Sequence, residues 1–328
     1  MKKLFSALRF TIPAILVCAV TGNAPAASRN GTVDVTLVSF GSIEGDVSMC
    51  GCHSGPKGGL ARRAAYQDTL KARLGSFLQL DLGDFSSLQD LTAEYETRFV
   101  WRMMERLKVS AAALGPNELT NWAIVRELTS KKTIPVVCSN VTGSAGGAIA
   151  DPFLILEDKG VRVALIALMG RDEFESVPRQ TRDQFAFTDP FEKARRLVPD
   201  LHAKADLVVL MSQMSTAVTD SLLKSVPGVD AALYGHDAEY EATEGHVGST
   251  IVNRTGVRGQ YLGRLTLTVD PAGKIVRSSS DNMALGQIMP EDAGLATEVK
   301  DALAKVKQIR EEERARRQAE FERKMSGG

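Results

Sequence analysis

Four short, largely apolar runs in this chain each stop at a polar residue. Asp84 follows residues 78–83, and Asn117 and Glu118 follow residues 111–114. Gln213 follows residues 208–211, and His236 follows residues 231–235. Runs this short, bounded by Gly or turn residues, read as buried strands. Between them, residues 60–74, 91–107, 122–129, 189–203 and 217–225 carry helical spacing. Strands alternating with helices imply an α/β fold. In such sheets, sites gather where the strands end. The expectation is that the four polar loops meet in one crevice.

The run before His236 reads as a strand over residues 229–234, and the remaining strands fall at residues 32–40, 134–139, 250–253 and 261–269. Residues 153–156 and 161–169 flank Asp158-Lys159-Gly160 as a hairpin. Residues 270–273 form a second turn, with a return strand at 274–278, and residues 115–118 read as a turn. The expectation from these elements is an α/β protein with a mixed sheet or two packed sheets. His202 reads as a surface residue on a helix, and His246 as a loop histidine.

The two ends stand apart. Lys2, Lys3 and Arg9 precede an apolar run at residues 10–20, and Ala24-Pro25-Ala26 follows. That order is a secretory signal peptide over residues 1–27, cut near Ala26 or Ala27. The run is shorter than the ~20 residues that span a bilayer. A lipidated alternative through Cys18 has the bulky Val17 against it. The expected location is periplasmic or secreted, with no transmembrane segment. Residues 28–290 then form one domain. Residues 291–328 form a charged helical tail, with Leu295, Val299, Leu303, Val306 and Ile309 at three- and four-residue steps. The tail is either solvated or the docking element for a protein partner. The 40 basic and 40 acidic residues cancel, which gives no field for nucleic acid.

Signal removal leaves Cys50, Cys52 and Cys138, an odd set with one unpaired thiol. Cys50-Gly51-Cys52 closes at most a small, strained ring. It reads as a redox-labile disulfide, a thiol pair or, with His53, part of a metal site.

The order of motifs resembles the calcineurin-like metallophosphoesterases, and more closely the exported 5'-nucleotidase/UDP-sugar hydrolase family. Gly58-Gly59-Leu60-Ala61-Arg62-Arg63 resembles the family's GGLAR segment. Leu80-Asp81-Leu82-Gly83-Asp84 resembles its GD motif, and Leu114-Gly115-Pro116-Asn117-Glu118 stands where GNHE is expected. Pro135 to Val141 is similar to PxxxANV. Met211-Ser212-Gln213 occupies the LSH position, and Asp230 to His236 begins GHxH. The resemblance covers residues 32–278 and implies that family's α/β fold, with mixed β-sheets packed in a sandwich flanked by helices, followed here by a long C-terminal helix.

It implies two divalent metals that activate water and neutralise a phosphoester, with Mn, Zn or Fe as the metals. The ligands, however, are mostly replaced. The family's DxHG aligns with Ser42-Ile43-Glu44-Gly45. Pro116 stands at the ligand Asn, and Asn117 at the catalytic His. Gln213 replaces a ligand His, and Ala238 the second His of GHxH. Asp84 and His236 survive, with Glu44 and Gln213 as substitute donors. Altered ligation costs about tenfold or more in metal affinity. The expected number of metals is therefore two, one or none. Two functions follow. One is a divergent or inactive phosphoester hydrolase for nucleotide-like ligands. The other is a non-catalytic binding or thiol/metal-relay protein using Cys50, Cys52 and the tail. The family's nucleotide-specificity domain is not expected in the fifty or so residues after Ser278.

Overall fold

The computed structural model describes residues 31–50 and 55–326. The signal segment 1–27, Cys52, His53 and the Cys50 side chain lie outside the described residues.

Two sheets face each other. The first runs in the order Ile275–Ser280, Tyr261–Val269, Val33–Phe40, Leu78–Asp81, Ala111–Ala113, Val136–Val137, with Met283–Ala284 also on Tyr261–Val269. From Val33–Phe40 to Val136–Val137 its pairs are parallel. The second runs Gly245–Val247, Thr250–Arg254, Ala231–Tyr234, Leu207–Gln213, Val161–Met169, Leu154–Asp158. Its four central strands are parallel and its outer pairs antiparallel.

The inner faces fuse into one core. Leu37, Leu80 and Leu265 of the first sheet pack with Leu165, Val209 and Leu233 of the second. Strands buried on both faces need continuous apolar runs, and Val161–Met169 and Leu207–Gln213 have them. Helices Leu60–Leu74, Ala93–Arg106 and Trp122–Ser130 cover the first sheet. Pro190–His202 and Thr216–Ser225 cover the second. Asp189 caps Pro190–His202 by accepting from the Phe191 and Glu192 N–H groups at 2.9 and 3.0 Å.

The final helix, Ala293–Ser326, buries only Leu295, Val299, Ala302 and Val306, against the helices on the first sheet. Leu303 is exposed, although its spacing placed it on the apolar stripe. Beyond Arg310 the helix is held by its own ion pairs, such as Glu313 with Arg316 and Arg317. No helix among the described residues is long and apolar enough to cross a membrane.

Some local expectations change. Residues 115–118 are not an open turn but enter the helix Pro116–Thr120, because proline suits a first helical position. His246 lies on the strand Gly245–Val247, exposed. The strand expected over 134–139 shortens to Val136–Val137, since Ser139 and Asn140 turn away to bond other segments. Asn140 donates to the Met169 and Thr188 carbonyls at 2.8 and 3.0 Å, so this motif residue ties strands together. Helices Arg171–Ser176 and Arg179–Arg182 and the strand pair Val141–Gly143/Phe185–Phe187 carry too little periodicity to be read from sequence.

Candidate functional site

The carboxyl ends of both sheets' parallel strands meet in one crevice. Its floor crosses from sheet to sheet: the Gln213 Nε2 donates to the Leu82 carbonyl. Ser42 Oγ donates to the Gly235 carbonyl at 2.6 Å, a second link between the sheets, while Leu82 N donates to the Phe40 carbonyl at 2.8 Å within the first. Glycine permits this closeness. A Cβ on Gly235 would strike Leu82 and Gln213, and one on Gly115 would strike Asp84 and Gln213.

Asp84 is the centre. It is 2% exposed and leaves its strand with φ +54°. Its Oδ2 accepts from His236 Nδ1 at 2.7 Å, across 152 residues of sequence. Its Oδ1 accepts from the Asn117 N–H at 3.1 Å. Burial alone would lower the His236 pKa. The bond to Asp84, with the charges of Glu173 and Asp237, outweighs it and raises the value. Ser42, Glu44, Asp237 and Arg258 share the left-handed backbone region, at φ +47°, +54°, +47° and +61°. Such strain in non-glycine residues collects at functional sites.

Glu118 is the residue that sequence reasoning undervalued. It is fully buried. Its carboxylate accepts three backbone N–H groups: Gly115 at 2.7 Å, Asp84 at 2.8 Å and Ser86 at 2.8 Å. It thus knots the loop after Leu78–Asp81 to the loop after Ala111–Ala113. Burial, then Asp84's charge, holds its pKa above the usual carboxylate range. Glu three positions after the N-cap was its only local signal. Asp81 lies beneath, fully buried, accepting from the Gly83 N–H at 3.0 Å. Burial pushes it up to about 7, with Arg63 opposing.

The other named residues fare differently. The Asn117 side chain donates to the Ser86 carbonyl at 3.3 Å, which engages it in the loop. Glu44 reaches solvent at the rim, yet partial desolvation of its carboxyl by the crevice wall, and then the charge of Asp84, raise its pKa. Arg258, also at the rim, is paired with Asp46 at 2.6 Å. Gln213 is fully buried, and its Oε1 has no partner. Cys138 is buried and unpaired, with its thiol pushed up to about 12 by burial, which leaves it unreactive.

No protein-family model matches the chain. The snake venom 5'-nucleotidase of Crotalus adamanteus is 22% identical over 317 residues, covering 87% of this chain and 54% of its own. The 5'-nucleotidase precursor from Thermus thermophilus superposes with TM-score 0.74 at 23% identity, covering 84% of this chain and 59% of that one. The calcineurin-like phosphoesterase YfkN from Bacillus subtilis gives 0.70 at 18% identity, covering 85% of this chain and 99% of that one. The chain has the calcineurin-like metallophosphoesterase fold. It spans about half the length of the curated 5'-nucleotidase it matches.

Divalent metals are typical of metallophosphoesterases, so the donor set is the test. Among the described residues no three His, Cys, Asp or Glu side chains converge on a metal position. Asp84 and His236 are bonded to each other, and Gln213 offers one amide oxygen. These residues do not fit a dinuclear centre, which needs several charged or imidazole donors per ion.

Proposed function

We propose that this metallophosphoesterase domain does not hydrolyse phosphoesters and serves as a binding module. The observation that carries this reading is the direct 2.7 Å bond between His236 and Asp84. In the resembling family, the residues at these positions ligate metals. Here they neutralise each other.

Electrostatics supports the same reading. Glu44, Asp84, Glu173 and Asp237 all act on His236 or on one another through their charge. Arg258 is already paired with Asp46. Without metal cations, a phosphate at about 6 Å from an unpaired carboxylate loses about 3 kcal/mol per charge pair at an effective dielectric of about 20. The crevice therefore favours neutral or cationic groups over a nucleotide phosphate. Export after removal of residues 1–27, one domain over 28–290 and a solvated tail over 291–328 belong to the same proposal.

The test offers Mn, Zn and Fe to the purified protein and measures retained metal by mass spectrometry after desalting. Hydrolysis of a generic phosphodiester is measured in parallel. No retained metal and no hydrolysis is the expected result. About two metals per chain with turnover overturns the proposal. One zinc, lost on changing Cys52 or His236, also overturns it in favour of a rebuilt mononuclear site.

A further inference from the structure

The same strands that carry the crevice at their carboxyl ends border a second cavity at their amino ends. It measures about 740 Å³ and is lined by both sheets. Arg162 is the second residue of Val161–Met169, Asp206 precedes Leu207–Gln213, and Asp230 precedes Ala231–Tyr234. Lys274 and Arg277 come from the first sheet's edge.

The charges in this cleft are not equivalent. Both acids accept from backbone, and Asp230 also stands 3.9 Å from His202 Nε2. Asp206 Oδ2 accepts from the Arg162 N–H at 2.8 Å, and Asp230 Oδ2 accepts from the Val208 N–H at 2.7 Å. Each satisfies a donor where a strand begins. The cations are less committed. Arg277 Nε donates to the neutral Thr268 hydroxyl at 3.3 Å. Arg162 stands 3.8 Å from Asp206, at the outer limit of an ion pair. Lys274 and Arg277 are exposed, and neither pairs with an acid among the described residues. His246 lies exposed on the same wall.

We propose that this cleft binds a small organic polyphosphate, independently of the crevice. Guanidinium forks match tetrahedral oxyanions, and ammonium adds a point charge. Lys274 and Arg277 stand on one edge of the first sheet and Arg162 on a strand of the second, so the cations line both walls of the cleft. A ligand with two or more phosphate groups can reach both walls. The cavity falls in the size range of small-molecule sites, roughly 300–1,000 Å³. Ile251 and Ile275 supply an apolar patch for the ligand's carbon frame.

Isothermal titration calorimetry with inorganic tripolyphosphate, at low salt, tests this on the whole protein. Inorganic phosphate serves as the control. One saturable tripolyphosphate per chain is expected, at least tenfold tighter than phosphate. Lys274→Ala with Arg277→Ala should weaken it at least tenfold, and both residues are exposed, so the double variant should melt like the parent. Equal affinity for phosphate and tripolyphosphate, or unchanged binding in a double variant that melts normally, overturns the proposal. A Ser42→Asp variant probes the crevice instead. If it abolishes tripolyphosphate binding, the ligand sits in the crevice and the proposal is also overturned.

Discussion

Replacing Glu118 with alanine isolates the knot that builds the crevice. The wild-type carboxylate satisfies the Gly115, Asp84 and Ser86 N–H groups at 2.7, 2.8 and 2.8 Å. Alanine leaves three buried donors without partners. Each orphan costs about 1–3 kcal/mol, so the gross loss is at least about 3 kcal/mol. Removing a buried carboxyl beside Asp84 returns part of this, because burial and that neighbour disfavour its charge. The expected net destabilisation is about 2–3 kcal/mol. At about 2 °C per kcal/mol for a domain of this size, the melting point should fall about 4–6 °C. The pH dependence carries a second signature. The folded-state pKa of Glu118 is raised above the ordinary 4.5. Its contribution to stability is therefore fully present below that value and declines as pH rises through the folded pKa. The alanine penalty should be larger at pH 5 than at pH 8.5. Calorimetric melting at both pH values is the assay. A fall below 1 °C at pH 5 would refute the reasoning, since the three N–H groups would then have other partners.

Other perturbations follow from the same geometry. His236→Ala should cost more stability at pH 6 than at pH 9. The raised folded pKa makes the ion-pair contribution complete below about 6.5 and lost as pH rises through the folded value. Urea titrations at the two pH values check this. Gly115→Ala should cost about 1–3 kcal/mol, because its methyl group would press into Asp84 and Gln213; equal melting points would contradict that packing. Deleting residues 311–328 should shift the melting point by less than about 2 °C, since exposed ion pairs contribute about 0–1 kcal/mol each. A larger shift would show that the end of the helix is docked. Cys138 should react with a thiol reagent only after unfolding, while burst labelling of native protein at Cys138, located by peptide mapping, would contradict its burial.

Much of the scaffold was legible because its signals are local. Helical spacing at residues 60–74 matched the helix Leu60–Leu74, and the charged tail expected from residue 291 became Ala293–Ser326. The apolar runs at 161–169 and 207–211 became central strands. The motif order points to the sandwich, and Asp84 and His236 stand out in the sequence alone. The substitutions at Ser42, Glu44, Asn117 and Gln213 were also plain from the sequence.

What the sequence left undecided involves partners far apart along the chain. Asp84 and His236 lie 152 residues apart, and only the packing of one sheet on the other joins them. Asn117 stood at the position of a catalytic residue, yet its side chain binds the Ser86 carbonyl instead. Glu118 looked like a helix cap, and the structure made it the acceptor for three N–H groups from two loops. Periodicity and turn chemistry report on neighbours within a few residues, so they specify strands, helices and their ends. Which polar groups share a buried crevice depends on how those ends converge. Burial then fixes the pairing, because a buried N–H or carboxylate left alone costs more than any local preference supplies.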